Sequence, residues 1–211
     1  SSVNYDFEGK VSTGTKEVVS MIRPKLMKQD IHNLVNKKIK KLSSLLVPGY
    51  MISCVKDKTP FNLLVNLNNG ELVTDIERCI GKPISFGADK LSEKENLIFS
   101  VCTKINGNFT AADIFPKSGL QFSAVFDTLN CLVKKNILTK GRNNFSFSES
   151  IQSLLDLKSF SCYEKNEFIS FEVDEKLKAN YKITEVVEML KRFVDVTSFK
   201  ECNMIKYDVE Y

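Results

Sequence analysis

Apolar positions along this chain recur with two periods, and the switches between those periods divide it into segments. From Lys16 to Leu46 the spacing is helical. Leu26, Ile31, Leu34, Val35, Ile39, Leu42, Leu45 and Leu46 approximate one apolar stripe, with Lys25, Lys28, Lys37, Lys38, Lys40 and Lys41 opposite. Pro24 lacks an amide donor and clashes with a preceding turn, so it splits the stretch into helices over 16–21 and 26–46. Pro48-Gly49 ends the second helix, and Tyr50–Val55 and Phe61–Leu67 follow as strand-like runs. Asn68-Asn69-Gly70 tolerates positive φ and turns the chain into Glu71–Ile76. The pattern predicts a three-stranded meander packed on a lysine-rich helix, closed by a loop from Gly81-Lys82-Pro83 to Asp89.

Helical spacing returns at Ser92-Glu93-Lys94-Glu95, which fits a capping box. The helix that follows directs Leu97, Ile98, Val101, Cys102 and Ile105 inward, and Asn106-Gly107-Asn108 ends it. Thr110 caps a short helix over Ala111–Phe115, and Pro116-Lys117-Ser118-Gly119 makes a turn. Over 121–135 a third helix is expected, with Phe122, Val125, Phe126, Leu129, Leu132 and Val133 inward. Gln121, Ser123, Ala124, Thr128, Asn130 and Lys134 face outward. Ile137-Leu138-Thr139 and Phe145-Ser146-Phe147 alternate as strands about Lys140-Gly141-Arg142-Asn143-Asn144. Further on, 148–157 reads as a short helix, Phe168–Val173 as a strand, 183–194 as an amphipathic helix and Met204–Val209 as a last strand.

These elements define an α+β fold in three expected units. They are an N-terminal basic helix with a small antiparallel sheet (15–88), a central three-helix and hairpin unit (91–149), and a C-terminal β-α-β piece (150–211). The last is a candidate for dimerisation or protein contact, or for pairing with the N-terminal sheet. A chain of 211 residues with 43% hydrophobic content can bury a sizeable core. Its apolar runs are only a few residues long, too short to span a bilayer as a helix. The opening residues SSVNYDFEGK lack an initiator Met and an apolar signal core, so the sequence is expected to be processed or excised.

Charge is unevenly distributed within the total of +4: net +6 over 16–90, +2 over 91–149 and −3 over 150–211. One face meeting a polyanion and another meeting protein or solvent would account for that asymmetry. The lysine-rich face is a solvated surface by default, yet Lys37, Lys38, Lys40 and Lys41 are dense enough to clamp a phosphate backbone. Cysteines at 54, 79, 102, 131, 162 and 202 show no metal-ligand or redox spacing and are expected as free, largely buried thiols in a reducing compartment, cytoplasmic or nuclear.

The segment 92–148, and above all Phe126 to Lys140, resembles winged helix-turn-helix domains, over 57 of the 211 residues. That resemblance implies a third helix in the major groove and a hairpin wing on the adjacent backbone or minor groove. By position, Gln121, Ser123, Ala124, Thr128 and Asn130 would face base edges, and Lys117, Lys134, Lys135, Lys140 and Arg142 would contact phosphates. The implied function is a duplex DNA-binding protein of the transcriptional-regulator or replication-initiator type. The third helix departs from that pattern in having no Arg and in carrying Asp127, which favours the alternative of a protein-docking subunit in a larger assembly. Catalysis is not expected. The only histidine, His32, lies among lysines, and no nucleotide-binding, zinc-protease or nucleophile-elbow motif occurs. Asp75/Glu77 and Glu172/Asp174 would bind a metal only if the fold converged them. No cofactor is expected.

Overall fold

A computed structural model describes residues 10–24, 27–35, 37–84, 91–160 and 168–211, and over 10–20 the backbone alone. Lys25, Leu26, Cys162, the opening residues 1–9 and positions 85–89 of the expected loop, all named above, lie outside the described residues. The chain forms two units. One combines 1–83 with 158–211, and the other is the intervening 84–157.

Eleven strands and six helices fall within the described residues, so the fold is α+β. In the first unit β1 (Lys10–Ile22) leads to α1 (Lys28–Leu34), β2 (Lys41–Val47), β3 (Gly49–Lys56), β4 (Thr59–Asn66), β5 (Glu71–Asp75) and β6 (Ile80–Pro83). After the second unit come β9 (Phe168–Leu177), α6 (Ile183–Leu190), β10 (Asp195–Glu201) and β11 (Met204–Glu210). They build a mixed sheet of order β1-β9-β2-β11 and an antiparallel sheet of order β10-β3-β4-β5-β6. The C-terminal segment is therefore no unit of its own. Each of its strands pairs with an N-terminal one: β9 with β1 and β2, β10 with β3, β11 with β2.

One core cluster draws Leu45, Val47, Leu177 and Met204 from the first sheet and Met51, Leu64 and Val73 from the second, so the two sheets share an interior. The chain passes between sheets twice at one place, from β2 to β3 and from β10 to β11. There the Cys202 amide donates to the Gly49 carbonyl at 2.9 Å. Gly49 is required at this crossing, since a Cβ would lie 2.6 Å from the Cys202 carbonyl oxygen and 3.0 Å from that of Val65.

The expected basic helix over 26–46 is corrected: only 28–34 is helical, and 41–47 is a strand. β2 lies between β9 and β11, with Leu45 and Val47 in the shared core and Leu46 in a second cluster with Met21, Val173 and Ile205. A strand buried on both faces has a continuous apolar run, and such a run satisfies a helical count as readily as a strand's. The helix expected over 16–21 is likewise part of β1, whose bonding groups are taken by β9. Leu34, assigned to the apolar stripe, is exposed. β6 and β10, unforeseen as strands, are edge strands of the second sheet.

α1 is fixed to the outer face of the mixed sheet through Asp174. Its carboxylate accepts from Lys28 Nζ at 2.6 Å, the Ser44 amide at 2.9 Å and Ser44 Oγ at 3.0 Å. Burial raises the Asp174 pKa, and the Lys28 and Ser44 donors outweigh it, leaving the carboxyl at about 2.

In the second unit α2 (Glu93–Cys102), α3 (Ala111–Ser118) and α4 (Phe122–Lys134) precede the hairpin β7 (Leu138–Lys140) and β8 (Phe145–Phe147), then α5 (Glu149–Leu155). Helices and hairpin follow in the expected order. Ile98, Cys102, Ile114, Val125, Leu129, Leu132 and Ile137 form the interior, and Phe99 and Phe109 both stand edge-on to Phe147. α3 runs to Ser118 rather than stopping at Phe115, passing through Pro116 and ending on Gly119 at φ 68°, where the left-handed backbone suits glycine. Cys54, Cys79, Cys102 and Cys202 are buried free thiols, with pKa values pushed up to about 11, 11, 12 and 11 by burial. Cys131 is exposed, contrary to expectation, because it lies outside the buried arc of α4.

Candidate nucleic-acid interface

The second unit places its polar side chains with two local devices. Ser92 Oγ accepts from the Glu95 amide at 3.3 Å while Glu95 Oε2 accepts from the Ser92 amide at 2.8 Å, so the start of α2 is capped reciprocally. The same Glu95 oxygen accepts from Lys135 Nζ at 2.6 Å, tying the start of α2 to the end of α4. The Lys135 hydrogen bond, with further help from Ser92, holds the Glu95 pKa down against burial. Thr110 and Asp113 cap α3 in the same way.

These ties fix the rotation of α4, and its buried arc differs from the expected one. Val125, Thr128, Leu129 and Leu132 are buried. Thr128, expected outward as a base reader, instead donates its hydroxyl to the Ala124 carbonyl at 2.7 Å. Phe122 and Phe126, expected inward, are 49% and 40% exposed. Packing against α2 and α3 turns the helix toward Thr128, and the hairpin covers the phenylalanine flank only in part.

Gln121 and Ser123 are exposed at the start of α4, and Ala124 is half-buried. Asn130 is occupied by internal contacts. Its amide donates to the Phe126 carbonyl at 3.0 Å, and its Oδ1 accepts from Lys140 Nζ at 3.1 Å. Lys140 also stands 5.0 Å from the Phe126 ring centroid and 5.7 Å from that of Phe145. Arg142 is exposed at the hairpin tip, which closes where the Gly141 amide donates to the Asn144 carbonyl at 2.8 Å. Lys117 and Lys134 are exposed, whereas Lys135 is engaged by Glu95.

Lys140 and Arg142 thus share one cleft of about 400 Å3 with Phe122, Phe126, Asn143 and Phe145. Lys134 lies elsewhere on α4, in a shallow depression beside Asp127 and Cys131. The aromatic members were missed from sequence because bulk was equated with burial. In the first unit, Lys37, Lys38, Lys40 and Lys41 are exposed between α1 and the start of β2, with Lys37 Nζ 5.5 Å from the Tyr211 ring centroid.

Among the described residues no three His, Cys, Asp or Glu side chains group as a metal site. Asp75 accepts from the Arg78 amide, Asp174 is held by Lys28 and Ser44, and His32 is exposed on α1. No helix among the described residues is long and apolar enough to cross a membrane. Comparison with family models, curated proteins and solved structures gives no match to this chain.

Proposed function

We propose that this protein binds duplex DNA through its second unit, a winged-helix module that presents the start of α4 and the hairpin to the nucleic acid. The observation that carries the reading is the exposed basic hairpin: Lys140 fixed by Asn130 and two rings, with Arg142 beside it at the tip. Phosphate contacts position such a module and base contacts specify its site. With Thr128 and Asn130 engaged internally, base reading falls to Gln121 and Ser123, aided by the half-buried Ala124. Asp127 is exposed on the same helix, so sequence discrimination is modest and affinity rests mainly on charge. Lys37, Lys38, Lys40 and Lys41 give the first unit a basic surface of its own for phosphate attraction.

Gel shifts with the double substitution Lys140→Ala and Arg142→Ala test this reading. Binding is expected to weaken on every duplex, whereas Gln121→Ala costs roughly 1–3 kcal/mol on selected sequences only. Unchanged binding in both variants would remove the surface from the account. The exposed rings of Phe115, Phe122 and Phe126 favour a second reading, docking onto a protein partner or a second copy of the chain.

A further inference from the structure

We propose that the cleft between α4 and the hairpin captures an unstacked base from single-stranded DNA adjoining a duplex, an inference that rests on the nucleic-acid reading above. Its floor is aromatic. Phe122 and Phe126 stand one helical turn apart on one flank of α4. Outside the cleft, Phe115, 42% exposed on α3, meets Phe122 edge-on at 5.8 Å and 72°. Helix α4 buries smaller aliphatic residues and leaves its two largest apolar side chains about half in water. That arrangement forgoes part of the burial free energy of two rings, although Phe122 meets Phe115 and Phe126 meets Phe145 and Lys140.

The rim of the cleft is cationic and amide-rich. Lys140 lies over Phe126 and Phe145, and Arg142 and Asn143 line the opening. Two acids lie near in sequence. Asp113 is committed to the cap of α3, where its carboxylate accepts from the Thr110 amide at 2.7 Å and the Thr110 hydroxyl at 2.9 Å. Asp127 belongs to the separate depression with Lys134. The cleft therefore offers π-faces beside positive charge.

A nucleotide matches both, with a base to stack and a phosphate for the cations. Bases inside a duplex present only their edges in the grooves, and Phe has no hydrogen-bonding group to read them. The rings thus call for a base released from its stack, while the basic rim disfavours a purely apolar peptide.

Fluorescence anisotropy with a blunt duplex, and with the same duplex carrying a short 5′ or 3′ single-stranded tail, separates the outcomes. One tail polarity is expected to tighten binding by about tenfold, the size of one base–aromatic stack. The pair Phe122→Leu and Phe126→Leu keeps apolar volume and helix propensity but removes the π-faces. It should abolish the gain from the tail, and Phe122→Leu alone, which keeps the Phe126 ring beneath Lys140, should remove part of the gain and leave blunt-duplex binding unchanged. A 2-aminopurine in the tail should change fluorescence on binding the wild type and not the double variant.

If neither tail polarity adds affinity while the blunt duplex still binds, the inference falls and the duplex reading stands. A gain that survives the double variant also overturns it, as does an equal loss on blunt and tailed DNA. If no DNA binds at all, both readings fall.

Discussion

Gly49 and Asp174 hold the first unit together by opposite means, one through absent bulk and the other through concentrated charge. At Gly49 a methyl group would press on two backbone carbonyls, that of Cys202 between β10 and β11 and that of Val65 in β4. Gly49→Ala should therefore cost about 1–3 kcal/mol, the usual penalty of overpacking. Urea unfolding followed by tyrosine fluorescence measures it selectively, because no tyrosine occurs over 84–157 and the chain has no Trp. Asp174 gathers a lysine, an amide and a hydroxyl on one carboxylate. Its pKa of about 2 in the folded protein lies below the value of about 3.9 in an unfolded chain, so it binds protons more weakly when folded. The stability it contributes is complete above about pH 4 and disappears as pH falls toward 2. Asp174→Asn should cost about 1 kcal/mol at pH 7, a figure discounted for the partial exposure of the ion pair, and the cost should vanish near pH 2. A pH-independent difference would place the effect elsewhere than in the charge.

Among the elements, α2 announces its start most plainly, through the Ser92–Glu95 box. Ser92→Ala should destabilise the second unit by about 1 kcal/mol, read from the helical signal in thermal unfolding, because one orphan amide loses its acceptor. Signals of this kind were legible in the sequence because they are local: the caps at Ser92 and Thr110, the turn at Asn68–Gly70 and the β-rich run before it. β2 was not. Its neighbours β9 and β11 lie more than a hundred residues away in sequence, and burial on both faces erased the alternation that marks a strand. The arc of α4 failed for a related reason. A helical wheel ranks side chains by hydrophobicity, but the rotation of the helix follows from what α2 and α3 bury, so Thr128 went in and Phe122 and Phe126 came out. Half of the candidate site, its lysines and Arg142, could thus be named from sequence, while the aromatic half required the packing.

At the scale of the whole molecule the chain makes one unit from both its ends and the other from its middle. The net charge of +2 over 91–149 is small for a DNA-binding module, so the account depends on where that charge stands rather than on its amount. Lys117, Lys134, Lys140 and Arg142 are the exposed cations it invokes in the second unit. Binding that neutralises phosphates releases counterions, and the logarithm of affinity then falls linearly with the logarithm of salt concentration, with a slope of about −0.9 per phosphate contacted. Anisotropy titration of a random duplex over a series of salt concentrations therefore tests the central claim most directly. The account predicts a steep negative slope for the native chain, made shallower by about 2 when Lys140 and Arg142 are both alanine. Affinity indifferent to salt, or a slope that those two substitutions leave unchanged, would contradict it.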